Sequence, residues 1–248
     1  MKDRVERGRP DPYFISGGPT GCLLIHGFTG SPAEMAPVAE HLCGQGFTVH
    51  APLLAGHGTT PEDMERTGWR EWVHSAEEGC DLLAARAQRD YVVGLSMGGL
   101  LALHLAATRR VDGVVSMCAP IRLRKRSAVF TPVLRHFVRF TPKSAPDPRF
   151  RRDLWSYDRT PVACVPHLLE LVRRVRRELR AVEAPALVVQ GANDQTVDSG
   201  SARLILDRLG SRTKSLVTLP ASGHMVTLDR DQAALLSAID AFMVEGGT

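Results

Sequence analysis

Short apolar runs rich in β-branched residues alternate along the chain with longer segments of helical periodicity. This alternation is typical of a parallel β-sheet whose strands are joined by crossover helices. The runs are almost continuously apolar, as expected of strands covered by helices on both faces. The sequence therefore predicts an α/β fold with strands at Cys22–His26, Phe47–Ala51, Tyr91–Gly94, Gly113–Met117, Ala186–Gln190 and Ser215–Leu219, and a candidate edge strand at Tyr13–Ser16.

Helix starts are signalled at several points between these strands. Ser31 precedes Pro32 and Glu34, which predicts a capping serine, a proline in the first turn and a capping-box glutamate. The segment Asp229–Gln232 carries similar signals for a C-terminal helix. The segment Trp69–Arg89 has the periodicity of a long amphipathic helix.

The segment Gly94–Gly98 reads Gly-Leu-Ser-Met-Gly, directly after an apolar strand and directly before a helical pattern. It matches the G-x-S-x-G pattern of a nucleophile elbow, a turn so tight that glycines flank the serine. Such a turn lifts Ser96 Oγ above the sheet at a helix N-terminus, where amide groups favour a negative oxygen. The sequence thus predicts Ser96 as a nucleophile, against the alternative of an ordinary glycine-rich strand–helix turn.

A second glycine-bracketed loop, His26–Gly30, follows the strand that begins at Cys22. A loop in this position can bring a backbone N–H beside the elbow, where it would stabilise a tetrahedral oxyanion. We assign the two oxyanion donors to the main-chain N–H groups of Phe28 and Met97. The alternative is that the loop only connects a strand to a helix, and we interpret His26 as a residue that braces it.

Two further strand ends carry an acid and a histidine. Asp194 follows the strand Ala186–Gln190 and His224 follows the strand Ser215–Leu219. The chain order serine, acid, histidine is the one expected of this kind of site. Asp198 is the rival acid but is better placed to cap the next helix, and His57 is the main rival histidine.

The segment 121–180 differs in composition from its flanks. It holds 16 basic and 5 acidic residues and is interrupted by prolines, which predicts short, broken helices. We interpret it as a basic helical cap laid over the carboxyl ends of the strands, where ligands of open α/β sheets bind. The remaining ranges, 1–120 and 181–248, then form the core.

These residues resemble the small bacterial carboxylesterases and monoacylglycerol lipases of the α/β-hydrolase superfamily. The resemblance covers about residues 20–245 and rests on six stretches, which are Leu23–Gly30, Ala51–Gly58, Gly94–Gly99, Val115–Pro120, Val188–Asp194 and Ser222–Asp229. It implies an α/β-hydrolase fold whose small helical cap is inserted after the sixth-strand region. It also implies a serine acyl-enzyme, a triad of Ser96, Asp194 and His224, and oxyanion donors at Phe28 and Met97. The arginine-rich cap departs from the family pattern and leaves the substrate preference open.

The function expected from these observations is hydrolysis of short- to medium-chain acyl esters, with a monoacylglycerol lipase as the alternative. An acyltransferase or a non-catalytic binding protein on the same fold is a more distant alternative. Candidate substrate-binding residues are Gly27, Phe130, Leu134 and Leu168. The mechanism needs no cofactor, and no metal-ligand spacing is present.

Composition bounds the partners and the location. Five scattered cysteines without a C-x-x-C pair, and no apolar run of about 18 residues, predict a cytoplasmic protein with reduced thiols. The basic segment predicts a weak contact with anionic lipid surfaces. It lacks the interleaved aromatic residues typical of nucleic-acid binding, so no nucleic-acid partner is expected. We expect a monomer or a weak dimer.

Overall fold

The computed structural model describes residues 3–122, 137–145 and 147–245. Its strands are β1 (Tyr13–Ile15), β2 (Thr20–Ile25), β3 (Thr48–Ala51), β4 (Arg89–Leu95), β5 (Gly113–Met117), β6 (Phe140–Pro142), β7 (Arg159–Pro161), β8 (Ala186–Gly191) and β9 (Lys214–Leu219). Seven of them form one sheet in the order β1-β3-β2-β4-β5-β8-β9. Neighbours in this sheet are parallel, except that β1 runs antiparallel to β3. The predicted mostly parallel sheet with its edge strand is confirmed.

Helices cover both faces of the sheet. They are α1 (Ala36–Gly44), α2 (Pro61–Met64), α3 (Trp69–Ala84), α4 (Met97–Thr108), α5 (Val165–Glu178), α6 (Gly200–Arg208) and α7 (Gln232–Glu245). Side chains alternate along β2, so that Leu23 and Ile25 join one buried cluster while Cys22 and Leu24 join another. The first cluster lies under α3, α4, α5 and α6, and the second under α1 and α7. This double cover explains why the central strands are mostly apolar.

The start of the first helical segment differs from the prediction. Ser31 makes no capping hydrogen bond with its side chain. Its Oγ instead donates to Trp155 O at 3.0 Å, and the Glu34 carboxylate accepts from Gly27 N–H at 2.7 Å. The predicted capping box is therefore wrong, because long-range contacts take both side chains away from the local helix end.

The described part of the segment 121–180 contains more regular structure than expected. Strands β6 and β7 form a separate antiparallel pair. The 14-residue helix α5 is neither short nor broken, because Pro166 lies in its first turn, where a missing N–H leaves no bond unmade. Phe130 and Leu134 lie outside the described residues, and the limits 121–180 of the cap stay a prediction.

Residues after β6 reach over the carboxyl ends of β2 and β3. Tyr157 N–H donates to Thr29 O at 3.0 Å, in the loop after β2. The Tyr157 hydroxyl donates to Gly56 O at 2.8 Å, in the loop after β3. These contacts hold this part of the cap segment against the edge of the sheet where the loops of all parallel strands converge.

Helix α5 runs from this edge to the opposite one. Near its start, the His167 ring packs against Trp72. Past its end, Leu179 O accepts from Gly210 N–H at 3.3 Å, shortly before β9 begins. The exposed arginines of its second half therefore lie at the amino ends of the strands. There Arg173, Arg176 and Arg177 line a cleft of about 880 Å³, together with Glu170 of the same helix, Arg180 just after it and Arg208 of α6.

The described residues include no helix long and apolar enough to cross a membrane. All five cysteines are free thiols, and four of them are buried.

Candidate active site

Ser96 occupies the turn between β4 and α4 in a backbone conformation that L-residues rarely adopt. Its φ is 56° and its ψ is −117°. A Cβ at Gly94 would overlap the backbone of Gly98, and a Cβ at Gly98 would overlap the backbone of Ile25. The two glycines of the motif are therefore required by close approach of the chain, and the strained turn presents Ser96 at the carboxyl edge of the sheet.

Three predicted site residues come together at this edge. His224 Nε2 lies 3.0 Å from Ser96 Oγ, and His224 Nδ1 lies 2.8 Å from Asp194 Oδ2. These are hydrogen-bond distances, so an imidazole links the hydroxyl to the carboxylate. The rival Asp198 lies elsewhere, because its Oδ1 accepts from Gly200 N–H at the start of α6.

The Asp194 carboxylate is buried but well supplied with donors. Its Oδ1 accepts from the N–H groups of Thr196 and Val197, at 2.7 and 3.0 Å. Its Oδ2 accepts from Gln190 Nε2 at 3.1 Å as well as facing His224. Burial raises the pKa of Asp194, but the hydrogen bonds and charge of His224 and the two amides outweigh it and lower the pKa overall. Asp194 is therefore ionised at neutral pH.

Cys118 adds a thiol to this group. Its Sγ and one donor atom each of Asp194 and His224 lie within 4.8 Å of one another. Burial raises the pKa of the Cys118 thiol, which therefore keeps its proton. A metal ion binds a cysteine as the thiolate, and the Cys118 thiol is protonated. His224 Nδ1 is also not free to bind a metal ion, because it is hydrogen-bonded to Asp194. The donor set therefore suits hydrogen bonding better than a metal ion.

The loop His26–Gly30 lies beside Ser96, since a Cβ built on Gly27 would be 3.4 Å from Ser96 Cβ. His26 Nδ1 and Gly30 N–H both donate to Gly27 O, at 2.9 and 3.2 Å. Gly27 C=O and Phe28 N–H belong to one trans peptide group and point in opposite directions. The two hydrogen bonds to Gly27 O therefore fix the direction of Phe28 N–H. Met97 N–H belongs to the first turn of α4, where amides have no acceptor within the helix.

His57, the rival histidine, hydrogen-bonds to the loop after β2 and not to Ser96. Its Nε2 accepts from Thr29 N–H at 3.1 Å, and its Nδ1 donates to Ala55 O at 3.0 Å. His26 is bonded in the same manner, with its Nε2 accepting from Leu54 N–H at 3.2 Å. Both imidazoles must be neutral to accept these bonds. Burial lowers the pKa of His57 to about 4 and the pKa of His26 well below its ordinary value.

We expect the free energy of unfolding to fall as the pH is lowered from about 6.5 to 4. In this window unfolded histidines bind protons that the buried His57 does not, so stability decreases with falling pH. The gap between the two pKa values corresponds to about 3 kcal/mol for His57 alone. Urea unfolding at several pH values measures the slope, and His57→Gln should flatten it. Equal slopes for the variant and the wild type would contradict this role of His57.

The other predicted substrate contacts are placed only in part. Gly27 lies against Ser96. Leu168 is buried at the start of α5 in the cluster that also contains Trp72 and contacts Phe28. Sequence reasoning missed three residues that hold the loop after β2, namely Glu34, Lys143 and Tyr157. Only Glu34 carried a sequence signal, and it was interpreted as part of a helix cap.

Known proteins resemble this chain over nearly its whole length. The family model Hydrolase_4, described as serine aminopeptidase, S33, matches residues 20–231. A thermostable monoacylglycerol lipase of Bacillus sp. is 37% identical over 229 residues, which are 91% of each chain. A carboxylesterase of Bacillus subtilis is 31% identical over 227 residues, covering 90% of this chain and 92% of the relative.

A solved structure of one of two metagenome-derived lipolytic enzymes, LipS and LipT, has the same fold. It superposes with a TM-score of 0.91 at 30% identity and covers 96% of this chain and 99% of its own. The fold, the family match and these relatives agree with the resemblance inferred from the sequence. The chain belongs to the Hydrolase_4 family of α/β-hydrolases.

Proposed function

We propose that this protein is a serine hydrolase of carboxylic esters, with Ser96 as nucleophile, His224 as general base and Asp194 as the acid that orients His224. The observation that carries the proposal is the hydrogen-bonded chain from Ser96 Oγ through His224 to Asp194, with distances of 3.0 and 2.8 Å. The names of the two bacterial relatives, a monoacylglycerol lipase and a carboxylesterase, support the same reaction class.

In this mechanism Ser96 Oγ attacks the ester carbonyl carbon while His224 Nε2 takes the hydroxyl proton. The ionised Asp194 holds the proton of His224 at Nδ1 and stabilises the imidazolium that forms. The N–H groups of Phe28 and Met97 donate to the oxyanion of the tetrahedral intermediate. His224 then gives its proton to the leaving alcohol, and a water activated by the same imidazole releases the acid from Ser96.

Monoacylglycerol is the second candidate substrate. It is favoured by the 37% identity to the Bacillus lipase, which exceeds the identity to the carboxylesterase. Apolar side chains in or close to the loop after β2, among them Leu168 and the partly buried Phe28, offer contacts for an acyl chain in either case. We propose Leu168 as a substrate contact on this ground, and Gly27 because it lies against Ser96.

A series of p-nitrophenyl esters from acetate to palmitate tests the proposal. We expect kcat/KM to rise by at most about fourfold per added methylene until the apolar site is filled, and then to fall. A 1-monoacylglycerol compared with the methyl ester of the same acid separates lipase from general esterase. A p-nitroanilide tests the peptide cleavage named by the family model. Folded protein that cleaves the anilide and no ester would contradict the proposal.

The remaining assignments concern partners and location. We propose a monomer or weak dimer, a cytoplasmic location and no nucleic-acid partner, and the five free thiols support the location. A weak contact with anionic lipid would involve the exposed arginines of α5. Because these side chains do not line the site around Ser96, we expect hydrolysis of a water-soluble ester to be independent of ionic strength.

A further inference from the structure

Thr29 is buried in a left-handed conformation with φ 64°, and each of its polar groups is bonded. Its N–H donates to His57 Nε2 at 3.1 Å, and its carbonyl accepts from Tyr157 N–H at 3.0 Å. Its hydroxyl donates to Phe28 O at 2.6 Å and accepts from Lys143 Nζ at 2.7 Å. A β-branched residue with positive φ persists only where its surroundings impose that conformation.

These bonds complete the fixation of Phe28. The peptide before Phe28 is held through Gly27 O by His26 and Gly30. The peptide after Phe28 is held through its own carbonyl by the Thr29 hydroxyl. Two of the groups that bind Thr29 belong to Lys143 and Tyr157, which lie in the segment after β6. The direction of Phe28 N–H therefore depends on residues supplied by that segment.

A buried acid lies against the same loop. Glu34 is 5% exposed, and its Oε2 accepts from Gly27 N–H at 2.7 Å. Burial raises the pKa of Glu34 above its ordinary value, and the Gly27 N–H and the positive charges of Lys143 and His224 offset only part of this rise. A carboxylate here opposes any negative charge that forms at Phe28 N–H, because Coulomb repulsion is only weakly screened in the protein interior.

Lys143 supplies the compensating charge. Lys143 as a whole is exposed, and its ammonium nitrogen lies 2.7 Å from Thr29 Oγ1. Burial lowers the pKa of Lys143 below its ordinary value, and the negative charge of Glu34 offsets part of this fall. Lys143 thus has two effects on the loop, one by hydrogen bonding to Thr29 and one by its charge near Glu34.

We propose that Lys143 is a positioning residue for the oxyanion hole, fixing Thr29 and offsetting the charge of Glu34 so that Phe28 N–H stabilises the transition state. This inference rests on the proposed ester hydrolysis at Ser96. Lys143 acts through Thr29 and Glu34 and does not touch the reacting atoms. Its effect therefore belongs to kcat, since the oxyanion exists only after attack.

The test compares Lys143→Met, Lys143→Arg, Glu34→Gln and the double variant Glu34→Gln/Lys143→Met on one soluble p-nitrophenyl ester. We expect Lys143→Met to lower kcat by about 10-fold or more with little change in KM, and Lys143→Arg to recover most of it. In the double variant kcat should rise above that of Lys143→Met, because the introduced amide oxygen would still accept from Gly27 N–H without carrying a charge.

Lys214→Met is the matched control. Lys214 Nζ donates to Leu209 O at 2.7 Å at the start of β9, so this variant also loses one lysine–oxygen bond but at the opposite edge of the sheet. Its kcat should equal that of the wild type. A boronic acid that forms a tetrahedral adduct with Ser96 gives a second readout and should bind Lys143→Met more weakly in proportion to kcat.

The inference is overturned if Lys143→Met keeps its kcat, if it changes only KM, or if removal of the Glu34 charge lowers kcat further in the Lys143→Met background. Each of these results requires an active wild type. A wild type that cleaves no ester would instead refute the proposed function, so the two failures are distinguishable. Thermal unfolding of every variant identifies any loss that reflects the fold.

Discussion

Ser96→Ala is expected to lower kcat for a p-nitrophenyl ester by about 10⁵-fold, with little change in the free energy of unfolding. The substitution removes only the hydroxyl group, and the acyl-enzyme cannot form without it. The residual rate would come from binding and from the Phe28 and Met97 amides acting on direct attack by water. A fluorophosphonate probe should label the wild type and leave the variant unlabelled.

Ser215→Ala is the control for this comparison. Ser215 is exposed on β9, away from the loops that surround Ser96, and its variant should be labelled and active like the wild type. Persistent hydrolysis and labelling in Ser96→Ala would show that another residue is the nucleophile. Loss of both in Ser215→Ala would show that the assay reports folding instead of chemistry.

Asp194→Asn is expected to lower kcat by about 10⁴-fold while the protein stays folded. An asparagine amide facing His224 Nδ1 would donate to it, which would move the imidazole proton to Nε2. His224 would then have no lone pair to accept the Ser96 proton. The asparagine carbonyl oxygen would take the place of Asp194 Oδ1 and would still accept from the N–H groups of Thr196 and Val197. The loop should therefore keep its conformation.

Asp198→Asn separates this effect from the loss of a nearby charge. Asp198 lies four positions further along the chain, caps the start of α6 and pairs with Arg122 at 3.8 Å. An asparagine can also cap a helix, so this variant should keep nearly full activity. Comparable losses in both variants would contradict the assignment of Asp194 as the orienting acid.

Strand ends allowed much of this site to be anticipated from the sequence. In a parallel sheet the carboxyl ends of all strands lie at one edge, so residues that follow β4, β8 and β9 lie at that edge however far apart they are in the chain. Together with the elbow motif and the chain order serine, acid, histidine, this rule predicts that Ser96, Asp194 and His224 meet, and the structure has them within hydrogen-bond distance. The elbow glycines were equally readable, because close approach forbids any side chain at those positions.

The support of the loop after β2 could not be anticipated in this way. Glu34 matches a local capping rule, but its carboxylate bonds to Gly27 and the would-be cap Ser31 bonds to Trp155. Local rules of this kind yield when a long-range partner offers a buried polar group a better bond. Lys143 and Tyr157 carried no signal, since their partner Thr29 lies more than a hundred residues earlier in the chain.

The prolines of the cap segment were misleading for a related reason. A proline predicts a break only where its nitrogen would have to donate inside a helix, and Pro166 precedes that point in α5. The position of Pro166 within the helix decides whether it ends the helix or begins it, and the spacing of prolines in the sequence does not give that position.

The arginine cleft formed by α5 and α6 gives the molecule two unlike ends. A polyanionic support that binds this cleft, such as a cation-exchange bead or a sulfonated polymer, would hold the protein by the end opposite Ser96. The carboxyl edge of the sheet, which carries Ser96, would then face the bulk liquid, and diffusion of ester to Ser96 would be unobstructed. Immobilisation on such a material should therefore preserve turnover without any engineered tag, whereas random chemical coupling would block a share of the molecules.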